Sequence, residues 1–171
     1  PEKIKASAGF DAIAQALESL VSKKSNDQSV EYASKSLRIS IKSYISFLKD
    51  PNLKNAAEMA IASNLAGKAI NISKTTAPHA VSYPFTSLFN VSHGHAVSLF
   101  FEKFFKFNYE NKDKSDTSFD LNKRFDLIFN LFDVQGINNF NSKISLIKKK
   151  AKLEDNLQTL NINIKQSSDD I

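Results

Sequence analysis

Apolar residues return at intervals of three and four along most of the chain, the period of one helix face. Between residues 9 and 23, Phe10, Ile13, Ala14, Leu17, Leu20 and Val21 keep that spacing and predict a first amphipathic helix. Asn26 or Asp27 can cap a second helix, which runs to about Leu48 with Val30, Ala33, Leu37, Ile41, Tyr44, Ile45 and Leu48 on one side. Asp50-Pro51-Asn52 reads as a turn. A third helix over about Asn52 to Ile72 carries Ala56, Ala57, Ala60, Ala62, Ala66 and Ala69. Small side chains let helices approach closely, which predicts a central position for it. Residues 73 to 78 break the pattern, and Pro78 suits the first turn of a short fourth helix. A second break at residues 90 to 92 precedes a helix from about His93 to Phe107. Residues 108 to 117 are polar and read as an exposed loop, followed by helices over about 118 to 132 and 137 to 150. The tail from Leu153 is weakly patterned, with room for a short helix before it frays through residues 166 to 170. No stretch alternates as a strand over a useful length, so the expected fold class is all-α.

Composition sharpens this in a few places. Gly and Pro number 4 each, too few for a turn-rich all-β chain, and 171 residues suffice for one domain with a core. With 14 Phe and no Trp, that core should be rich in Phe. The absence of Cys excludes a disulfide scaffold, a Cys-based zinc site and a thiol nucleophile, and suits a reducing, cytoplasmic setting. No apolar run reaches the roughly 18 residues of a membrane span. The net charge is +5, but the lysines are scattered among acidic residues. The densest run, Lys148-Lys149-Lys150, reads as a solvated helix end. Neither nucleic acid nor membrane is expected as a partner.

Candidate chemistry gathers around three histidines, at 79, 93 and 95. Clustering of this metal-competent residue points to a metal site, although histidines at helix starts also cap or pack. Asp11 and Gln15 lie four apart on one helical face, and Glu18 extends that face by a turn. Asp11 also follows Gly9-Phe10 at an expected helix start, where a carboxylate stabilises the helix dipole without any metal. Spacing leaves both readings open.

The local sequences go further. Gly9-Phe10-Asp11-Ala12-Ile13-Ala14-Gln15-Ala16-Leu17-Glu18 resembles the Gly-x-Asp-Ala-x-x-His-Ala-x-Glu motif that opens the helical domain of iron-containing (group III) alcohol dehydrogenases. Ser63-Asn64-Leu65-Ala66-Gly67-Lys68-Ala69 is similar to that family's Ala-rich segment. His79-Ala80-Val81-Ser82-Tyr83-Pro84 and His93-Gly94-His95-Ala96 match its two histidine segments in order and spacing. The resemblance is clear over residues 7 to 108 and weak beyond. It implies the helical, bundle-like C-terminal domain of the dehydroquinate synthase-like fold, with a divalent metal, Fe²⁺ or Zn²⁺, held by Asp11, Gln15, His79 and His93. Gln15 stands where the common pattern has His, and an amide oxygen is a weaker, harder ligand than imidazole. Tyr83 stands where many members have a further His near the substrate, so His95 or Tyr83 becomes the candidate proton relay.

Residues 67 to 79 resemble a narrower branch, the phosphonoacetaldehyde reductases (hydroxyethylphosphonate dehydrogenases). That implies a small aldehyde or alcohol substrate, here a phosphonate. Lys68, Asn71, Lys74, Thr75 and Thr76 would form an anion cradle, a segment that reads equally as a Ser/Thr-rich helix cap with its lysines facing water. The family joins this domain to an N-terminal nucleotide-binding one. Glycines at 9, 67, 94 and 136 are too far apart for a phosphate-binding loop, so the NAD(P) site is expected outside this chain. The 171 residues are then expected to be a single helical metal-binding domain, inactive alone, in an enzyme that interconverts an aldehyde and an alcohol by hydride transfer. The resemblance sets no oligomeric state. Two rivals stand beside this. One is a related glycerol dehydrogenase or 3-dehydroquinate synthase-like domain. The other is a helical interaction module with an exposed Phe-rich face at Phe100, Phe101, Phe104, Phe105 and Phe107.

Overall fold

The computed structural model describes residues 1–163. Helix α1 (Glu2–Val21) starts seven residues before the expected position, because residues 2 to 8 form helix without an apolar pattern; Ile4, their largest apolar side chain, is exposed. Its small residues, Ala6, Gly9, Ala12, Ala14 and Ala16, are buried on several sides. They let α2 (Asp27–Lys49), α3 (Leu53–Ser73), α5 (His93–Ser98) and α7 (Leu121–Phe132) all pack against it. The central helix is therefore α1, not the Ala-rich α3. Ala62, Ala66 and Ala69 of α3 are fully buried but lie on a single stripe, while Leu53 and Ile61 on its other sides face solvent. Small residues there mark one buried stripe, shared by α2 and α1, and not burial all round.

Helices α2 and α3 begin with reciprocal caps. Asn26 accepts from the Ser29 amide as Ser29 accepts from that of Asn26, and Asn52 and Asn55 do the same for α3. The α2–α3 seam is lined with Ser and Ala, and Ser36 Oγ donates to the Ala62 carbonyl at 2.8 Å, so a buried hydroxyl is satisfied across the interface. Gly9 brings Tyr44 onto the α1 backbone. A Cβ there would stand 2.3 Å from the Tyr44 ring, whose hydroxyl donates to the Ala6 carbonyl at 2.5 Å.

The expected helix over 93 to 107 is two helices, α5 and α6 (Phe101–Glu110), broken at Leu99–Phe100. Leu99 bonds back only three residues, to Ala96, and Phe100 leaves helical geometry at φ −120°, ψ 5°. The break sends neighbouring phenylalanines into different cores. Phe101 and Phe105 enter the main one, with Phe10, Phe125, Phe132 and Phe140. Phe100 joins Phe85, Val91, Leu99 and Ile162 in a second. Edge-to-face pairs such as Phe10–Phe101 at 5.7 Å and Phe132–Phe140 at 5.0 Å fix these rings. The Phe-rich segment is thus mostly core; Phe107 alone of the five is exposed. The polar loop contains one 3₁₀ turn (Lys112–Lys114), and α7 begins after its cap Asp120, three residues later than expected. Helix α8 (Gly136–Lys150) closes the Phe core, and residues 157 to 161 form turns rather than a helix. The expected fraying at 166 to 170 lies outside the described residues. Among the described residues no helix is long and apolar enough to cross a membrane.

Lys148 is the main departure in charge. It is 2% exposed, not solvated. Its Nζ donates to the Ser98 carbonyl at 2.9 Å and to Glu102 at 2.9 and 3.1 Å, and pairs with Asp155 at 2.7 Å. One cation thus ties α8 and the C-terminal turns to the α5–α6 break. Lys148→Ala leaves Glu102 half-buried without its cation, and is expected to cost about 3 kcal/mol. Urea unfolding of the variant against the parent chain measures this.

Candidate metal centre

Helix α1 carries Asp11 in its third turn, far from its start, so the helix-dipole reading of that carboxylate does not hold. Helix α4 (Ala77–Phe89), entered through Pro78, presents His79, and α5 presents His93 at its first residue. The three side chains converge. One ligand atom from each of Asp11, His79 and His93 lies within 4.8 Å of the others. Asp11 Oδ1 is 3.2 Å from His79 Nε2 and 3.8 Å from His93 Nε2. Ligands about 2.1 Å from a tetrahedral ion stand about 3.4 Å apart, so this spacing fits a divalent metal. One carboxylate and two imidazoles is also a donor set suited to Fe²⁺ or Zn²⁺.

Close packing makes the convergence. Gly94 lies against α1 so tightly that a Cβ would be 2.1 Å from the Ser7 carbonyl oxygen and 2.8 Å from Asp11 Cβ. Only glycine lets α5 approach far enough to bring His93 to Asp11. Beside it, the His95 amide donates to Ser7 Oγ at 3.2 Å.

Each of the three candidate ligands is itself held. Gln15 Nε2 donates to Asp11 Oδ2 at 2.8 Å, so the side chain expected as a ligand also braces Asp11. Glu18 is fully buried; its Oε2 bonds to His79 Nδ1, and its Oε1 accepts from the Thr76 amide at 2.9 Å and the Thr76 hydroxyl at 2.7 Å. Ser82 Oγ donates to the His79 carbonyl at 2.7 Å and lies 3.5 Å from His93 Nδ1. The sequence placed Glu18 on the Asp11–Gln15 face and in the family motif but gave it no task, and it gave Ser82 none. A hint was present for Glu18, a charge between Leu17 and Leu20 on a helix otherwise apolar at that end.

The remaining candidates divide. Tyr83 stacks on His93, with ring centroids 5.8 Å apart and planes at 23°. His95 points elsewhere, its Nε2 2.7 Å from the Glu154 carbonyl oxygen. The residues of the expected anion cradle are engaged separately, apart from one contact between Lys74 and Asn71. Lys68 lies over the Tyr32 ring at 5.8 Å, Lys74 donates to the Asn71 carbonyl at 3.1 Å, Thr75 is half-buried, and Thr76 is engaged by Glu18.

The profile described as Fe-containing alcohol dehydrogenase family, C-terminal, matches residues 5–169, and the chain belongs to that family. A 4-hydroxybutyrate dehydrogenase of Clostridium kluyveri is 31% identical over 126 residues, covering 72% of this chain and 34% of the relative. A phosphonoacetaldehyde reductase of Streptomyces viridochromogenes is 26% identical over 102 residues, 58% of this chain and 26% of the relative. The crystal structure of sulfoacetaldehyde reductase from Bifidobacterium kashiwanohense in complex with NAD+ superposes with a TM-score of 0.84 at 26% identity, covering 99% of this chain and 43% of that one. The chain therefore spans about a third or less of the curated relatives it matches.

Burial alone would push the His79 imidazolium toward neutrality, but hydrogen bonds and charge from Asp11 and Glu18 outweigh it and raise His79 to about 9. The unfolded value is about 6.5. The protonated ring therefore stabilises the metal-free fold fully below pH about 6.5, and that contribution is lost as pH rises through about 9. A metal must displace the same proton. The metal-free melting temperature is expected to fall across that window. At pH 7, metal uptake should release about one proton, read from the dependence of calorimetric heat on buffer ionisation enthalpy.

Proposed function

We propose that this chain is the metal- and substrate-holding part of an NAD(P)-dependent alcohol dehydrogenase that interconverts an aldehyde and an alcohol by hydride transfer. The observation that carries this is the convergence of Asp11, His79 and His93 on one centre, at the positions where the family resemblance puts ligands. A divalent metal there would supply Lewis-acid polarisation of a carbonyl oxygen. The chain's own residues do the rest. Asp11, His79 and His93 hold the ion, with Gln15 alongside as an optional fourth donor through its amide oxygen. The site is open on one side, Asp11 and His93 being only partly buried, and that opening admits substrate. Tyr83 is the candidate proton relay, supported by its stacking on His93. His95, bonded to Glu154, has no such support.

The names of the relatives suggest a substrate class. A hydroxybutyrate, a phosphonoacetaldehyde and a sulfoacetaldehyde each carry an anionic group on a short chain. We take a short aldehyde with an anionic end, a phosphonate among them, as the substrate of the whole protein. Lys68, Asn71, Lys74, Thr75 and Thr76, just ahead of His79, stay the candidates for holding that end.

The test is turnover by the full-length, metal-loaded protein with NADH or NADPH. Short aldehydes ending in carboxylate, phosphonate or sulfonate are expected to outpace uncharged ones. Asp11→Asn and His93→Ala are expected to lose metal and to lower kcat/KM by about 100-fold or more, while His95→Ala keeps its metal. Equal rates on uncharged aldehydes would remove the anionic substrate. No nucleotide-linked turnover at all, with metal bound, would contradict the dehydrogenase reading.

A further inference from the structure

A carboxylate that is 0% exposed, with no Lys or Arg paired to it among the described residues, is expensive to bury unless its environment requires the charge. Glu18 is such a group, and its two oxygens do different work. Oε1 faces the N-terminus of α4. Thr76 is the cap residue there, yet its side chain makes no cap bond to its own helix. Oε1 reaches across from α1 in its place, accepting from the Thr76 amide at 2.9 Å and lying 3.5 Å from the His79 amide. Oε2 bonds to the His79 imidazole at Nδ1.

A carboxylate can only accept. Facing one, His79 keeps a proton on Nδ1, while the Nε2 proton, which bonds to Asp11 Oδ1 in the metal-free site, is the one an ion displaces to reach the Nε2 lone pair. Ser82 does the same more weakly for His93. Its single hydroxyl proton goes to the His79 carbonyl, so the oxygen is left to accept from His93 Nδ1. From this geometry we infer that Glu18 is a positioning residue of the metal centre: it fixes the tautomer and bearing of His79 so that Nε2 is presented to a divalent cation. This rests on the metal-site reading above and assigns to Glu18 a task separate from its helix cap.

Glu18→Gln separates the two tasks. The backbone amides of Thr76 and His79 are donors, so a glutamine must turn its oxygen toward them. Its NH₂ then faces His79 Nδ1 and demands a lone pair there. The imidazole proton moves to Nε2, the atom meant for the metal. The cap survives while the ligand is disabled. Loss of such an outer partner typically weakens a metal 10- to 100-fold.

The experiment compares the 171-residue chain with Glu18→Gln, each titrated with Zn²⁺ against a chromophoric chelator. Circular dichroism confirms that both are folded. We expect Glu18→Gln to bind about 10- to 100-fold more weakly, with its helix content unchanged. Equal affinity in a folded variant overturns the inference. A parallel measurement needs no variant: nitrogen-15 NMR of the imidazoles in the zinc-loaded parent chain. Expected is a His79 proton on Nδ1 with zinc on Nε2; zinc on Nδ1 overturns the inference even if Glu18→Gln does not fold. A parent chain that binds no zinc at all contradicts the metal-site reading itself, and so is told apart from a failure of Glu18 alone.

Discussion

The close approach of α5 to α1 at Gly94 is the constraint on which the centre depends. A side chain there would collide with the Ser7 carbonyl, which is backbone and cannot swing away. Without that approach His93 stands clear of Asp11, and two ligands on different helices no longer share a centre. The same economy runs through the rest of α1. Its small residues take neighbours on several sides, and Gly9 admits the Tyr44 ring where a Cβ would not fit. Packing density here determines where the reactive groups sit.

Charge is the second constraint. Asp11 and Glu18 both face one histidine, so the metal-free site balances two carboxylates against a single imidazolium. A divalent ion restores that balance once the proton leaves, and the outer carboxylate remains useful because it keeps the ring from turning. Gln15 plays the matching part for Asp11. A site braced in this way keeps its ligands aimed before any ion arrives, which limits the ordering each binding event requires. The Lys148 network does comparable work at a distance, holding the turns that carry Glu154 against α5 and so occupying His95.

Much of this was legible in the chain. Helical periodicity marked the long helices, with Asn26 or Asp27 as the cap of the second; Asn52, read as a turn residue, proves to be the cap of α3. The candidate ligands Asp11, Gln15, His79 and His93 followed from motif resemblance; the fold brings Asp11, His79 and His93 to one point and sets Gln15 against Asp11. Three things were hidden for physical reasons. The early start of α1 leaves no periodic trace, because residues 2 to 8 face mostly solvent or small neighbours. The break at Leu99–Phe100 is decided by two competing Phe clusters far away in sequence, and no Gly or Pro marks it. Lys148 looks like any surface lysine in a basic run until Glu102 and Asp155 close around it. Glu18 was visible as a charge on an apolar stripe, but its meaning needed Thr76 and His79 brought to it by α4.

The most direct measurement is anomalous X-ray scattering, at the metal's absorption edge, from crystals of the chain grown with Zn²⁺. The account predicts one strong peak about 2.1 Å from Asp11 Oδ1, His79 Nε2 and His93 Nε2. A peak bound elsewhere, or none at that point under saturating metal, would contradict it.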